Sequence, residues 1–251
     1  QLKQLITHPG HYHYFVVMRS CLKSNGIANI NKMKTALIFG SSGLIGNGLL
    51  NIVKQNNNYN KIKLFVRSAS NSNDPKVEVI QTDFNNLEKH KDSIVGDDCF
   101  FSIGTTRKDT PDKNEYRKVE YNIPVDIAKV AKLNSVKCFA YVSSIGANPN
   151  SSASYLKNKG QVEEELNKLN FPKLVIVRPS ILFGSRKIFR LGEHIGIFVM
   201  KALSIFFLGS LKKYKPIKAE NVAEAMVSIA QNHDQKTVFE SNELNEISKV
   251  I

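Results

Sequence analysis

Two groups of residues in this chain have types and spacings that suit chemistry. Gly40, Gly43 and Gly46 come at intervals of three within TALIFGSSGLIGNGLL, Thr35 to Leu50. Tyr155 and Lys159 stand four apart, shortly after the serine pair Ser143 and Ser144. The glycines suit phosphate binding. Thr35 to Phe39 reads as a buried parallel strand, and Leu44, Ile45, Leu49, Leu50 and Val53 then fall at helical spacing. At a strand-to-helix turn the first glycine permits the tight turn. The second lets backbone approach a pyrophosphate, and the third lets helix pack close on strand. The free N–H groups of the new helix, from Gly43 through Leu44, Ile45 and Gly46, then face the phosphates at the positive end of its dipole. Ser41 and Ser42 add hydroxyl donors. The competing reading is a plain surface turn, and the strand before and helix after decide against it.

The Tyr-x-x-x-Lys spacing says little alone, because this lysine-rich chain repeats it at Tyr59 with Lys63 and at Tyr214 with Lys218. Context separates the copies. The first crosses a loop and a strand entry, and the third lies on an apparent strand, where residues four apart are about 13 Å apart. Tyr155 and Lys159 open an amphipathic helix, where such residues are neighbours, directly after a serine-tipped strand.

The elements that must position these groups alternate strand and helix. Strands are expected at Ile62 to Val66, Val77 to Ile80, Asp98 to Ile103, Val136 to Val142, Leu174 to Val177 and Thr237 to Glu240. The pattern predicts an α/β fold, a doubly wound parallel sheet (Rossmann fold) with helices on both faces. Where the second strand ends, roughly 20 residues past the glycines, a carboxylate would bind the ribose hydroxyls of NAD. Arg67 stands there instead, and a guanidinium favours a 2′-phosphate, so NADP is the expected cofactor and NAD the lesser one. Asp83, closing the third strand, either faces the adenine or caps the next helix. Gly104 and Thr105 follow the fourth strand, whose carboxyl end borders the cleft. In the helix from about Asn114 to Leu133, Pro124 removes the bond to the carbonyl of Glu120. That loosens the turn carrying Asn122, where a side-chain amide can hold a water.

Composition narrows the class. A 251-residue chain that is 42% hydrophobic can bury one large core, so a single domain is expected over 33–251, with a small substrate-binding region around 180–215. Residues 1–32 contain no acidic residue and no sustained period and are expected to be a leader outside the fold. His8, His11 and His13 have no cysteine or carboxylate nearby, so no metal site is expected. Three cysteines without CxxC spacing fit a reducing compartment, and the lack of a secretory signal led to a cytoplasmic expectation. The net charge of +13 is spread over scattered lysines, which argues against a nucleic-acid partner. Ile195 to Leu208 is the most apolar stretch, too short and interrupted to span a bilayer, and reads as a buried helix or a substrate-facing wall before a membrane-surface contact.

Taken together, GSSGLIG at Gly40 to Gly46, Ser143 and Ser144, YLKNK at Tyr155 to Lys159 and VRPSILFG at Val177 to Gly184 resemble the short-chain dehydrogenase/reductase superfamily, in its extended and atypical branch. GTTR at Gly104 to Arg107 and the order SSIGA, YLKNKG, VEEEL, RPSIL are similar to the Tat-interacting-protein family of NADP-binding oxidoreductase-like proteins. The resemblance covers about Met33 to Ile251. It implies that Gly40 to Gly46 hold the pyrophosphate, that Arg67 meets the 2′-phosphate, and that Ile103, Gly104, Thr105 and Leu182 border the cofactor. Tyr155 and Lys159 fit its acid/base pair. Phe39 and Ser68 depart from it, standing where many relatives have Thr and a second Arg.

The activity implied is NADP-dependent oxidation or reduction of a small alcohol or carbonyl compound, apolar ones first. Tyr155 would protonate the carbonyl oxygen, Ser144 (or its neighbour Ser143) would hold it, Lys159 would bind ribose and tune the phenol, and Asn122 would hold a relay water. A free tyrosine near pKa 10 must drop by roughly three units to work near neutrality, about 4 kcal/mol. One cation at about 4 Å supplies that much at an effective dielectric of 20. The alternative is a nucleotide-sensing protein that binds NADP(H) on the same fold without turnover.

Overall fold

A computed structural model describes residues 33–69, 71–84, 86–184, 209–232 and 235–249. Its strands are β1 (Lys34–Phe39), β2 (Tyr59–Val66), β3 (Val77–Gln81), β4 (Asp98–Phe101), β5 (Cys138–Val142), β6 (Lys173–Arg178), β7 (Leu182–Phe183), β8 (Ile217–Lys218) and β9 (Val238–Glu240). The helices are α1 (Leu44–Gln55), α2 (Lys113–Arg117), α3 (Ile123–Leu133), α4 (Ser154–Lys168), α5 (Ala219–Gln231) and α6 (Ser241–Ile247). A π-helical turn, Lys118–Asn122, joins α2 to α3. The apolar stretch Ile195 to Leu208 and most of the expected substrate region lie outside the described residues.

Seven strands form one sheet in the order β3-β2-β1-β4-β5-β6-β9, every pair parallel. The chain winds outward from β1 to β3, returns to β4 and winds the other way. The reversal between β1 and β4 opens the crevice in which such sheets bind ligands.

Alternation along the strands sorts the core into two layers. Ala36, Ile38, Phe100, Ala140 and Val175 pack with Ile45, Leu49 and Val53 of α1 and with Val222 and Met226 of α5. Leu37, Phe39, Phe101, Phe139 and Tyr141 face the other way, toward Ile127 and Ala131 of α3 and Val162 and Leu166 of α4. Both sheet faces are therefore covered, the condition for a parallel sheet. Phe39 belongs to an aromatic row: it stacks on Phe65 at 4.3 Å between centroids and on Phe101 at 5.9 Å. That packing accounts for an aromatic residue where many relatives of the fold have Thr.

Several details differ from expectation. β2 begins at Tyr59, so Tyr59 and Lys63 share that strand instead of crossing a loop into it, and β5 begins at Cys138 instead of Val136. The fourth strand stops at Phe101, and Ser102 directs both its N–H and its hydroxyl onto the Phe39 carbonyl, each at 2.9 Å. The third Tyr-x-x-x-Lys copy is not on a strand. Tyr214 closes a 3-10 turn, Gly209–Tyr214, and Lys218 sits in the short β8 that pairs with β7.

Candidate functional site

The glycine turn is built as its sequence requires. Gly40 has φ +92°, and a Cβ there would lie 2.8 Å from the backbone of Ser102 and Ile103. A Cβ on Gly46 would lie 1.9 Å from the Gly40 carbonyl oxygen, so nothing larger fits while α1 packs this closely on β1. Gly43 is the N-cap of α1, its N–H donates to the Gly40 carbonyl at 2.9 Å, and no side chain caps the helix. The first-turn amides are thus left for an anionic ligand. Ser41 is buried and Ser42 exposed beside them. Such a cradle fits a dinucleotide pyrophosphate.

The remaining cofactor candidates ring the same end of the sheet. Arg67 is exposed at the end of β2 and Asp83 is exposed after β3, while Ile103, Gly104 and Thr105 leave the end of β4. β7, with the half-buried Leu182, reaches the glycine turn through Gly184, whose Cβ would touch Leu44 Cδ1 at 3.2 Å.

The structure brings Tyr155 and Lys159 together on the first turns of α4. Tyr155 is 39% exposed, and the Lys159 ammonium lies 5.8 Å from its ring centroid. Lys159 itself is buried. Its ammonium donates to the Val142 carbonyl at 3.2 Å and stands 5.0 Å from the centre of the Tyr141 ring. Its ionic partner is Glu120, with Oε2 at 3.1 Å. Burial opposes the charge on Lys159, but Glu120 together with Tyr141 and Tyr155 outweighs it and holds the ammonium well above the ordinary lysine pKa. Two phenols nearby are pushed the other way from usefulness as acids. Burial first, then Glu120, takes Tyr116 up to about 12, and burial raises Tyr141 further against the pull of Lys159.

Asn122 is not beside Lys159. It is exposed at the end of the π-helical turn, and the buried place next to the ammonium belongs to Glu120. The loosened turn foreseen from Pro124 is the π-helical one, and its effect is to direct the carboxylate, not the amide, inward. Glu120 was missed although its spacing held a signal: Tyr116, Glu120, Ile123 and Ile127 form one helical stripe, all buried, and a carboxylate on such a stripe needs a partner.

The serines divide. Ser143 is buried and its hydroxyl donates to Glu163, which also accepts from Arg178 Nε at 2.9 Å. Ser144 is half-buried, with its hydroxyl on the neighbouring Ile145 carbonyl at a long 3.3 Å. Ser143 is therefore bound into an ion-pair network, and Ser144 is the serine that a ligand can recruit.

A groove of about 460 Å³ opens at the amino ends of the strands, lined by Lys34, Lys137, Asn170, Lys173 and Asn232 among others. Here helices end, and lysines serve their final carbonyls: Lys132 donates to Asn170 at 2.5 Å and Lys173 to Asn232. These cations complement helix C-termini and do not make an anion site.

Comparison with known proteins agrees with this geometry. Residues 40–233 match the family described as NAD(P)H-binding. The chain is 32% identical over 231 residues to "Protein FMP52-1, mitochondrial" of Scheffersomyces stipitis, covering 86% of this chain and 99% of that one. It is 32% identical over 200 residues to "Protein FMP52, mitochondrial" of Debaryomyces hansenii, covering 78% and 87%. Among solved structures, the UDP-glucose 4-epimerase of Thermotoga maritima with UDP-glucose superposes with a TM-score of 0.61 at 14% identity, covering 86% of this chain and 82% of that one. WbmH of Bordetella bronchiseptica, in complex with NAD+, gives 0.62 at 16%, covering 86% and 79%. The structural matches show the fold, a parallel sheet covered by helices on both faces. The mitochondrial names of the sequence relatives overturn the cytoplasmic expectation, which rested on the cysteine pattern and the lack of a secretory signal.

Proposed function

The chain belongs to the NAD(P)H-binding family, and on that premise we propose that it is an NADP-dependent oxidoreductase of the short-chain dehydrogenase type, acting on a small carbonyl or alcohol compound. The observation that carries this reading is Tyr155, an exposed phenol one helical turn from a buried ammonium. When bound, the nicotinamide would supply or accept hydride. The amides at the start of α1 would hold the pyrophosphate, and Arg67 the 2′-phosphate. Lys159 would direct an N–H to a ribose hydroxyl. Tyr155 would carry the proton to or from the substrate oxygen, with Ser144 holding that oxygen. Ile103, Gly104, Thr105 and Leu182 would line the cleft, and Asp83 would border the adenine. The similarity to the Tat-interacting-protein family and a mitochondrial location like that in the relatives' names belong to the same proposal.

A non-catalytic NADP(H)-binding role is the second reading. It is favoured by one observation, the neutralisation of Lys159 by Glu120, which offsets the cation meant to tune the phenol.

The test begins with binding. NADPH is expected to bind more tightly than NADH, and Arg67→Glu to reverse that order, in titrations followed by cofactor fluorescence. Equal affinities in the unaltered protein would remove the NADP assignment. Turnover is then sought with a panel of carbonyl compounds, and binding without turnover on any of them favours the second reading.

A further inference from the structure

Glu120 is the charged residue of the site to which the proposed reaction gives no task. Its side chain is fully buried and that of Lys159 is 5% exposed. One carboxylate oxygen accepts the N–H of Thr105 at 2.5 Å, and the other faces the Lys159 ammonium at 3.1 Å. The loop carrying Thr105 fits closely around it, since a Cβ on Gly104 would lie 3.3 Å from the same oxygen that Thr105 bonds. One carboxylate therefore ties the loop after β4, which borders the cleft, to the lysine on α4. An ammonium has three N–H groups. Val142 accepts one of them, and Glu120 Oε2 lies close enough to balance the charge without accepting a hydrogen bond.

A buried ammonium without a counter-charge is costly, and so is a buried carboxylate, so each stabilises the other's ionised form. The pair as a whole is electrically neutral. A dinucleotide phosphate carries several negative charges, and a lone cation at the cleft floor would attract it however its ribose were turned. A neutral pair rewards only a correctly placed hydroxyl.

Resting on the NADP reading above, we infer that Glu120 is a positioning residue of the dinucleotide site, which cancels the charge of Lys159 and leaves it to meet the cofactor ribose as a hydrogen-bond donor without net charge. Cofactor affinity then owes its salt dependence to Arg67 and the helix terminus, and none of it to Lys159.

The experiment titrates NADPH into the full chain at about 0.02 M and about 0.3 M salt, where screening lengths differ several-fold. Glu120→Gln keeps an acceptor for Thr105 but uncovers the ammonium. It is expected to tighten NADPH binding by about 3- to 10-fold at low salt, with the gain fading at high salt. Glu120→Asp, which keeps the charge, is expected to restore the salt dependence of the unaltered protein. Weaker binding of Glu120→Gln at both salts would mark a merely structural carboxylate and overturn the inference. Should Glu120→Gln not fold, Glu120→Gln combined with Lys159→Met removes both charges. It is expected to lose affinity through the missing hydrogen bond while keeping the original salt slope, and a clearly shallower slope overturns the inference. If the unaltered chain binds neither NADPH nor NADH, the cofactor reading itself falls and the inference falls with it. Binding by the unaltered chain with the wrong response in the variants defeats the inference alone.

Discussion

Tyr155 differs from the two other tyrosines around Lys159 in being reachable. It is 39% exposed, whereas Tyr116 and Tyr141 are buried and their phenols are raised to values at which they hold their protons near neutrality. If the chemistry runs through Tyr155, Tyr155→Phe removes only a hydroxyl. Turnover on the best substrate found is then expected to fall by about 100-fold or more, with NADPH affinity nearly unchanged. Full turnover in that variant would make the tyrosine a packing residue. At this scale the sequence was most readable where backbone geometry forbids alternatives. Gly40 and Gly46 could be placed from spacing alone, because a Cβ at either meets backbone. Glu120 could not, because its role depends on the rotation that the π-helical turn imposes on one side chain. Ser143 and Ser144 were likewise indistinguishable until Glu163 and Arg178 were seen to bind one of them.

Among the elements, α4 has the most exacting fit. It crosses the loop after β5 at Gly160, where a Cβ would lie 2.3 Å from Asn148 and Pro149 backbone atoms. Backbone cannot yield as a flexible side chain can, so Gly160→Ala is expected to push the start of α4 off the loop. The cost should be about 1–3 kcal/mol, measured by urea unfolding. NADPH binding should weaken as well, since Lys159 is the preceding residue. A variant as stable as the parent would show that the loop, not the helix, gives way. Strand and helix spans were largely legible at this scale, because buried parallel strands are continuous apolar runs and helices carry a 3.6 period. The interruption between α2 and α3 was legible only as a proline, and its geometry needed coordinates. The short pairing of β7 with β8 had no periodic signal to read, each strand being two residues long.

For the molecule as a whole, a pH dependence of stability comes from the amino ends of the central strands. Asp98 is buried there, accepting from Tyr59 at 2.6 Å and Lys34 at 3.0 Å. Loss of solvent raises its carboxyl above the ordinary range, against the opposing pull of Tyr59 and Lys34. The folded form then binds this proton more tightly than the unfolded form. Stability from Asp98 accordingly grows as pH falls through the folded pKa and is lost as pH rises through it. Relative to Asp98→Asn, the unaltered protein is expected to gain stability between about pH 7 and about pH 4. The opposite trend in thermal midpoints would show that Lys34 and Tyr59 win over desolvation.

The sheet also fixes when the molecule can fold. β1 pairs with β2 on one side but keeps its other side open for some sixty residues, since Ala36 also pairs with Asp98, and β6 keeps a bare edge until Val238 to Glu240 arrive to form β9. Pairings so distant in sequence close slowly. On the ribosome, therefore, the chain remains without its finished sheet until residue 240 has been added.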